Sequence, residues 1–144
     1  MKPSLTIILP AFNEEGNLEA AVSGLLTVLD HRFDSYELLI FDDGSTDETA
    51  VVAKRLRNSN PNIKVIRNQD NRGLGYSISS GFQLATKDYV MWYPGDGGME
   101  EKSLRLLFDQ VGKADILISY IANPEFRSWQ RQAISQMYVT LMNF

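Results

Sequence analysis

The polar and turn-forming residues of this chain gather in four clusters. They are Pro10-Ala11-Phe12-Asn13-Glu14-Glu15, Asp42-Asp43-Gly44-Ser45-Thr46-Asp47, Asn68 to Gly75, and Pro94-Gly95-Asp96-Gly97-Gly98. Each has a plain structural reading. A Pro-Asn-Glu turn caps a helix, Asp-Asp-Gly-Ser-Thr-Asp makes a turn and an N-cap, and Gly-Asp-Gly-Gly makes a flexible loop. Asp42 and Asp43 resist that reading, because adjacent like charges repel unless something uses them. Position decides between the readings. Each cluster directly follows an apolar run, and together the four favour a binding site.

The apolar runs are the elements that must position these residues. Leu5 to Leu9, Glu37 to Phe41, Ile63 to Ile66, Tyr89 to Tyr93 and Ile116 to Ser119 are short and apolar, as strands buried on both faces should be. Helical spacing runs from Leu18 through Ala21, Val22, Leu25, Leu26 and Leu29. Ser45-Thr46-Asp47-Glu48 matches a capping box and predicts a helix from there to about Arg57. Further helices are expected over Leu74 to Leu84, Lys102 to Val111 and Ser128 to Phe144. The alternation predicts an α/β fold, a mostly parallel sheet with helices on both faces. In such a sheet the strands share one carboxyl edge, where open α/β folds bind ligands. The clusters should converge there.

Composition narrows the function further. The 144 residues fit a single domain, 1–144, with a net charge of −4, which argues against a nucleic-acid partner. There are no cysteines, so disulfides, thiolate metal sites and cysteine catalysis are excluded. The single histidine, His31, is expected in an inert surface loop and rules out a His-rich metal site. No GxxxxGK[ST] loop, GxGxxG fingerprint or GxSxG elbow occurs, which disfavours P-loop, dinucleotide-binding and α/β-hydrolase chemistry. No apolar run approaches the roughly 20 residues that span a bilayer, and the first ten residues lack a signal-peptide pattern. The last helical pattern stops at Leu141-Met142-Asn143-Phe144 without a cap, so the natural chain is expected to continue.

Ile7 to Glu15, Asp42 to Asp47, Asn71-Arg72-Gly73-Leu74-Gly75 and Asp88-Tyr89-Val90 occur in an order and spacing that resemble family 2 glycosyltransferases with a GT-A fold. The resemblance covers about Ser4 to Ser119. It is nearest to the branch of dolichyl-phosphate mannosyltransferases and bacterial polyprenyl-phosphate sugar transferases. It implies that a nucleoside-diphosphate sugar is held by Pro10, Ala11, Phe12, Asn13, Glu14, Phe41, Asp42, Asp43, Arg72, Gly95 and Asp96. Carboxylates can accept hydrogen bonds from base N–H groups and ribose hydroxyls, and Phe12 can cover a base face. Arg72 is expected either to meet the diphosphate or to stabilise the acidic site.

The family places an Asp-x-Asp motif after the fourth strand, for ribose and a divalent ion. Here Pro94-Gly95-Asp96 stands there, so Asp96 alone is expected to be catalytic and to bind Mg2+ or Mn2+, with metal dependence weakened by Pro94. One carboxylate with phosphate oxygens and waters can still hold Mg2+. The arginine that follows the fifth strand in relatives is also absent; Ser119-Tyr120-Ile121 stands there, with Arg127 and Arg131 as substitutes or as solvent-facing residues of the last helix. The implied reaction is sugar transfer with inversion to an acceptor such as a polyprenyl phosphate or a glycan. A phosphate acceptor needs no general base, whereas a hydroxyl needs a carboxylate, for which Glu125 is a weak candidate. The location implied is cytoplasmic, at the cytoplasmic face of a membrane, with peripheral association; an exposed C-terminal edge would favour a dimer. The alternative is a non-catalytic nucleotide-sugar-binding or regulatory module with a degenerate metal motif.

Overall fold

The computed structural model describes residues 2–29, 32–118 and 137. Eight elements alternate along them: β1 (Ser4–Ala11), α1 (Leu18–Leu29), β2 (Ser35–Asp42), α2 (Thr49–Ser59), β3 (Ile63–Arg67), α3 (Leu74–Leu84), β4 (Tyr89–Trp92) and α4 (Glu101–Phe108). The four strands form one parallel sheet in the order β3-β2-β1-β4. This is the expected α/β architecture, and β1 lies inside it.

Burial on both faces explains the unbroken apolar runs of β1 and β2. Leu5, Ile7, Leu9 and Ala11 join Leu38 and Ile40 in a core covered by α1, α2 and α4. The alternate residues Ile8, Leu39 and Phe41 pack on the opposite face. There α3 crosses so closely that a Cβ on Gly81 would lie 2.6 Å from Ile8 Cγ1. Phe33 and Phe108 close the first core edge to face, with ring centroids 5.2 Å apart. Pro10 is tolerated within β1 because it lies beyond the last β1–β4 pair, Ile8 with Trp92.

A buried polar knot ties the amino-terminal half of the sheet. Glu37, 4% exposed, accepts from Thr6 Oγ1 at 2.7 Å, from the Thr86 N–H and Oγ1 at 2.8 Å each, and from Lys64 Nζ at 2.7 Å. Asp88 links the starts of β1 and β4, accepting from Ser4 Oγ at 2.7 Å. These contacts leave the opposite end of the sheet free for loops.

Two expected elements differ. The capping box does not form, and α2 begins at Thr49 with no side-chain cap bond from its N-cap residue Glu48. Ser45 is instead engaged with Asn13, and Asp47 Oδ1 accepts from the Thr49 N–H at 3.0 Å and from Thr49 Oγ1 at 2.5 Å. The fifth strand does not form over residues 116–118. Ile116 and Ile118 are 77% and 87% exposed, and a strand requires a neighbour to share its hydrogen bonds. His31, Glu125, Arg127, Arg131 and the Ser128 to Phe144 helix lie outside the described residues, apart from residue 137.

Candidate functional site

The parallel register brings the strand ends together. Ala11 is opposite Asp42, and Asp42 is opposite Arg67. Tyr93 extends the β4 ladder by donating its N–H to Ile8 O at 2.8 Å, and the Asn68 N–H reaches Asp42 O at 2.9 Å. All four clusters therefore leave the same edge of the sheet.

The first two loops are laced to each other. Asn13 has a left-handed backbone, φ 56°, which asparagine tolerates better than most residues. Its N–H donates to Ser45 Oγ at 3.0 Å, and its Oδ1 accepts from the Thr46 N–H at 2.9 Å. The Glu14 N–H donates to Thr49 Oγ1 at 2.8 Å. Glu15 Oε2 accepts from the Glu48 N–H at 2.8 Å, while Asp47 Oδ2 accepts from the Glu15 N–H at 3.2 Å. Most local polar groups of both loops are used in this way, and Phe12 is left 43% exposed at the rim.

The two adjacent carboxylates turn to different partners. Asp42 is fully buried; its Oδ1 accepts from the Ser45 N–H at 3.0 Å. Arg67 Nε forms an ion pair 3.2 Å from Oδ2, but at an angle that makes no hydrogen bond, so Oδ2 has no donor. Asp43 accepts at Oδ1 from Asn68 Nδ2 at 2.6 Å and the Arg72 N–H at 3.0 Å, and at Oδ2 from the Gly73 N–H at 2.7 Å. Burial pushes the Asp43 carboxyl up, but these bonds and the Arg72 charge outweigh it and hold it below the ordinary carboxylate range. Asp43 thereby fixes the third loop. The Arg72 guanidinium stacks 3.9 Å over the Tyr76 ring and donates to Tyr76 Oη at 2.6 Å.

The fourth loop is clamped against both neighbours. A Cβ on Gly95 would meet Pro10 O at 2.6 Å, and one on Gly97, where φ is +69°, would sit 3.4 Å from Ala21 Cβ. Between them Asp96 is exposed, with Oδ1 accepting from the Gly98 N–H at 2.9 Å. Among the described residues no group of three or more His, Cys, Asp or Glu side chains is arranged to hold a metal ion. Asp96 thus offers a single carboxylate.

Pro10, Ala11, Phe12, Asn13, Glu14, Asp42, Asp43, Arg72, Gly95 and Asp96 all lie on the carboxyl edge or the loops that leave it. Phe41 is different: its side chain is 1% exposed and packed with Ile8 and Leu39 in the core. Ser45, Asn68 and Arg67 belong to the site although sequence reasoning gave them no role there. Ser45 and Asn68 lay within the clusters, and Arg67 is found once the register sets the end of β3 beside the end of β2.

The chain belongs to glycosyl transferase family 2, whose description matches residues 6–140. It is 29% identical over 118 residues to a dolichyl-phosphate beta-glucosyltransferase of Dictyostelium discoideum, covering 77% of this chain and 36% of that protein. It is 27% identical over 124 residues to a poly-beta-1,6-N-acetyl-D-glucosamine synthase of Staphylococcus aureus, covering 86% and 29%. The chain spans about a third of the length of these curated relatives. Among solved structures, the fold resembles the mannosyltransferase PcManGT from Pyrobaculum calidifontis in complex with GDP-Man and Mn2+, with a TM-score of 0.60 at 23% identity over 67% of this chain and 28% of that one. It also resembles S. aureus TarS in complex with UDP, with a TM-score of 0.57 at 27% identity over 67% and 28%. Among the described residues no helix is long and apolar enough to cross a membrane.

Proposed function

We propose that residues 1–144 act as one nucleotide-sugar-binding domain of an inverting glycosyltransferase. The observation that carries this reading is the laced pair of loops after β1 and β2, which holds Phe12, Glu14 and Asp42 at the edge beside Asp96. In this reading Phe12 covers the base. Asp42 Oδ2 accepts from a base N–H or a ribose hydroxyl once Arg67, 57% exposed, turns aside and gives up its bond from Nη2 to Ser45 O at 3.3 Å. Asp43 acts by holding the loop that carries Arg72.

A divalent cation such as Mg2+ or Mn2+ suits a carboxylate with diphosphate oxygens, and when bound it neutralises charge on the departing diphosphate. Asp96 would hold it, and the lone carboxylate implies weak affinity in the absence of nucleotide. The acceptor is a polyprenyl phosphate or a glycan hydroxyl. The first is supported by the dolichyl-phosphate enzyme among the relatives; with such an acceptor the reaction would take place at the cytoplasmic face of a membrane. A phosphate oxyanion needs no base to deprotonate it at neutral pH.

The test is turnover. Protein incubated with UDP-, GDP- or dTDP-sugars, Mn2+ and a polyprenyl phosphate should release nucleoside diphosphate; no release from any donor contradicts transfer. Pro94 favours a second reading, a binding module without turnover. That reading requires nucleotide-sugar binding with no release, and tighter metal binding in Pro94→Asp.

A further inference from the structure

We infer that the outer face of α3, with the adjoining face of β4, is the surface on which a second copy of this chain docks. The two faces of the sheet are covered unequally. Three helices, α1, α2 and α4, pack on the first, and α3 packs on the second. Four strands spaced about 4.8 Å apart make a sheet wider than one helix about 10 Å across, so α3 leaves its flanks open. Ile66 and Val90 are only partly buried there. Trp92 lies between Met91 and Tyr93, which both pack in the first core, so its ring stands on the second face, 46% exposed.

The composition of α3 is unlike that of the other helices. Its 11 residues include no charged side chain, whereas α1, α2 and α4 each carry some. Yet Leu74, Tyr76, Phe82 and Leu84 are between 38% and 55% exposed. Leu74 and Phe82 form one flank of the helix and Tyr76 and Leu84 the other. Gly75, Ser79 and Gln83 lie exposed between the flanks, at four-residue spacing. A helix facing water carries charged and polar residues on its outer side; this one presents apolar flanks and no charge.

Area and charge identify the occupant. With about 150–250 Å2 for an aromatic side chain, and somewhat less for leucine, the five exposed side chains present roughly 450 Å2 of apolar surface. A stable interface buries about 800 Å2 of each partner, about two-thirds of it apolar where identical chains meet, so this face supplies most of one side. A two-fold axis sets the residues near it against their own copies, so any charge there meets a like charge. Uncharged α3 satisfies that condition. A bilayer is disfavoured, because helices that lie on membranes carry Lys and Arg along their polar side, and α3 has neither. Docking on this face needs neither Phe12 nor Asp42 and is independent of the nucleotide reading.

Sedimentation-velocity ultracentrifugation of the whole chain at about 100 μM, above the micromolar Kd of the weaker interfaces of this area, tests the dimer. The parent should sediment as two 16.3 kDa chains. Ser79 is exposed midway along α3, so Ser79→Glu and Ser79→Lys each add a charge that water solvates in the monomer and that meets its own copy in the dimer. Each variant should weaken self-association about tenfold or more while keeping the circular-dichroism spectrum of the parent. An equimolar mixture of the two should associate again, because Glu then faces Lys. Phe82→Ser removes apolar area without adding charge; it should weaken association to a similar degree and carries the test if the charged variants misfold. A monomeric parent overturns the proposal, and flotation of that monomer with phosphatidylcholine vesicles would assign the face to a bilayer instead. Association unchanged in the variants overturns it too, as does a mixture that stays monomeric.

Discussion

Asp42 and Asp43 are neighbours in the chain but answer to different parts of the molecule. Asp42 faces Arg67 and the Ser45 N–H, with one oxygen lacking a donor; Asp43 has both oxygens engaged by residues 68–73. Repulsion between the two is offset because each has its own donors. Removing the Asp43 carboxylate should therefore act through the loop. Asp43→Ala is expected to lose about 2–3 kcal/mol of stability in urea denaturation, from two backbone N–H donors and one amide left without their acceptor. It should also weaken nucleotide binding by tenfold or more. Asp42→Asn keeps an acceptor for Ser45 and removes the charge facing Arg67, so calorimetry should show impaired nucleotide binding with a smaller loss of stability. The acidic pair was legible as a place where something must use two charges. That Asp43 is used by the protein itself was not, because its partners lie 25 to 30 residues away in sequence.

At the scale of elements, close approaches set the geometry of the edge. Gly81→Ala would drive a Cβ to within 2.7 Å of three atoms of the buried, β-branched Ile8, which has little room to give. A loss of about 1–3 kcal/mol by thermal or chemical denaturation is expected. Gly95→Ala meets the Pro10 carbonyl oxygen instead, a backbone atom, so the loop carrying Asp96 must move away from β1. Its stability loss should be modest and its loss of nucleotide affinity large. Periodicity made four strands and four helices legible, because parallel strands buried on both faces and amphipathic helices write different patterns. It failed where the deciding partner is distant. Ser45 leaves its capping role for Asn13, 32 residues earlier, and Ile116 to Ile118 have the composition of a strand but join no ladder among the described residues.

At the scale of the molecule, the sheet divides into a tied end and an open end. The tied end is the Glu37 knot. Burial pushes the Glu37 carboxyl up, but the bonds from Lys64, Thr6 and Thr86 outweigh it and set it at about 2, below its ordinary 4.5. A carboxyl lowered on folding contributes stability that is complete above about pH 4.5 and is lost as pH falls towards 2. The contribution is on the order of 3 kcal/mol, and Glu37→Gln should flatten this acid limb in unfolding measured between those pH values. The open end carries the central claim, that the carboxyl edge of the sheet binds a nucleoside diphosphate. Amide chemical-shift mapping during titration with UDP and GDP, with Mg2+ present, tests that claim most directly. Saturable shifts confined to residues 11–14, 42–45, 72–73 and 95–98 are predicted. Shifts absent for both nucleotides, or concentrated at the Glu37 end of the sheet, would contradict it.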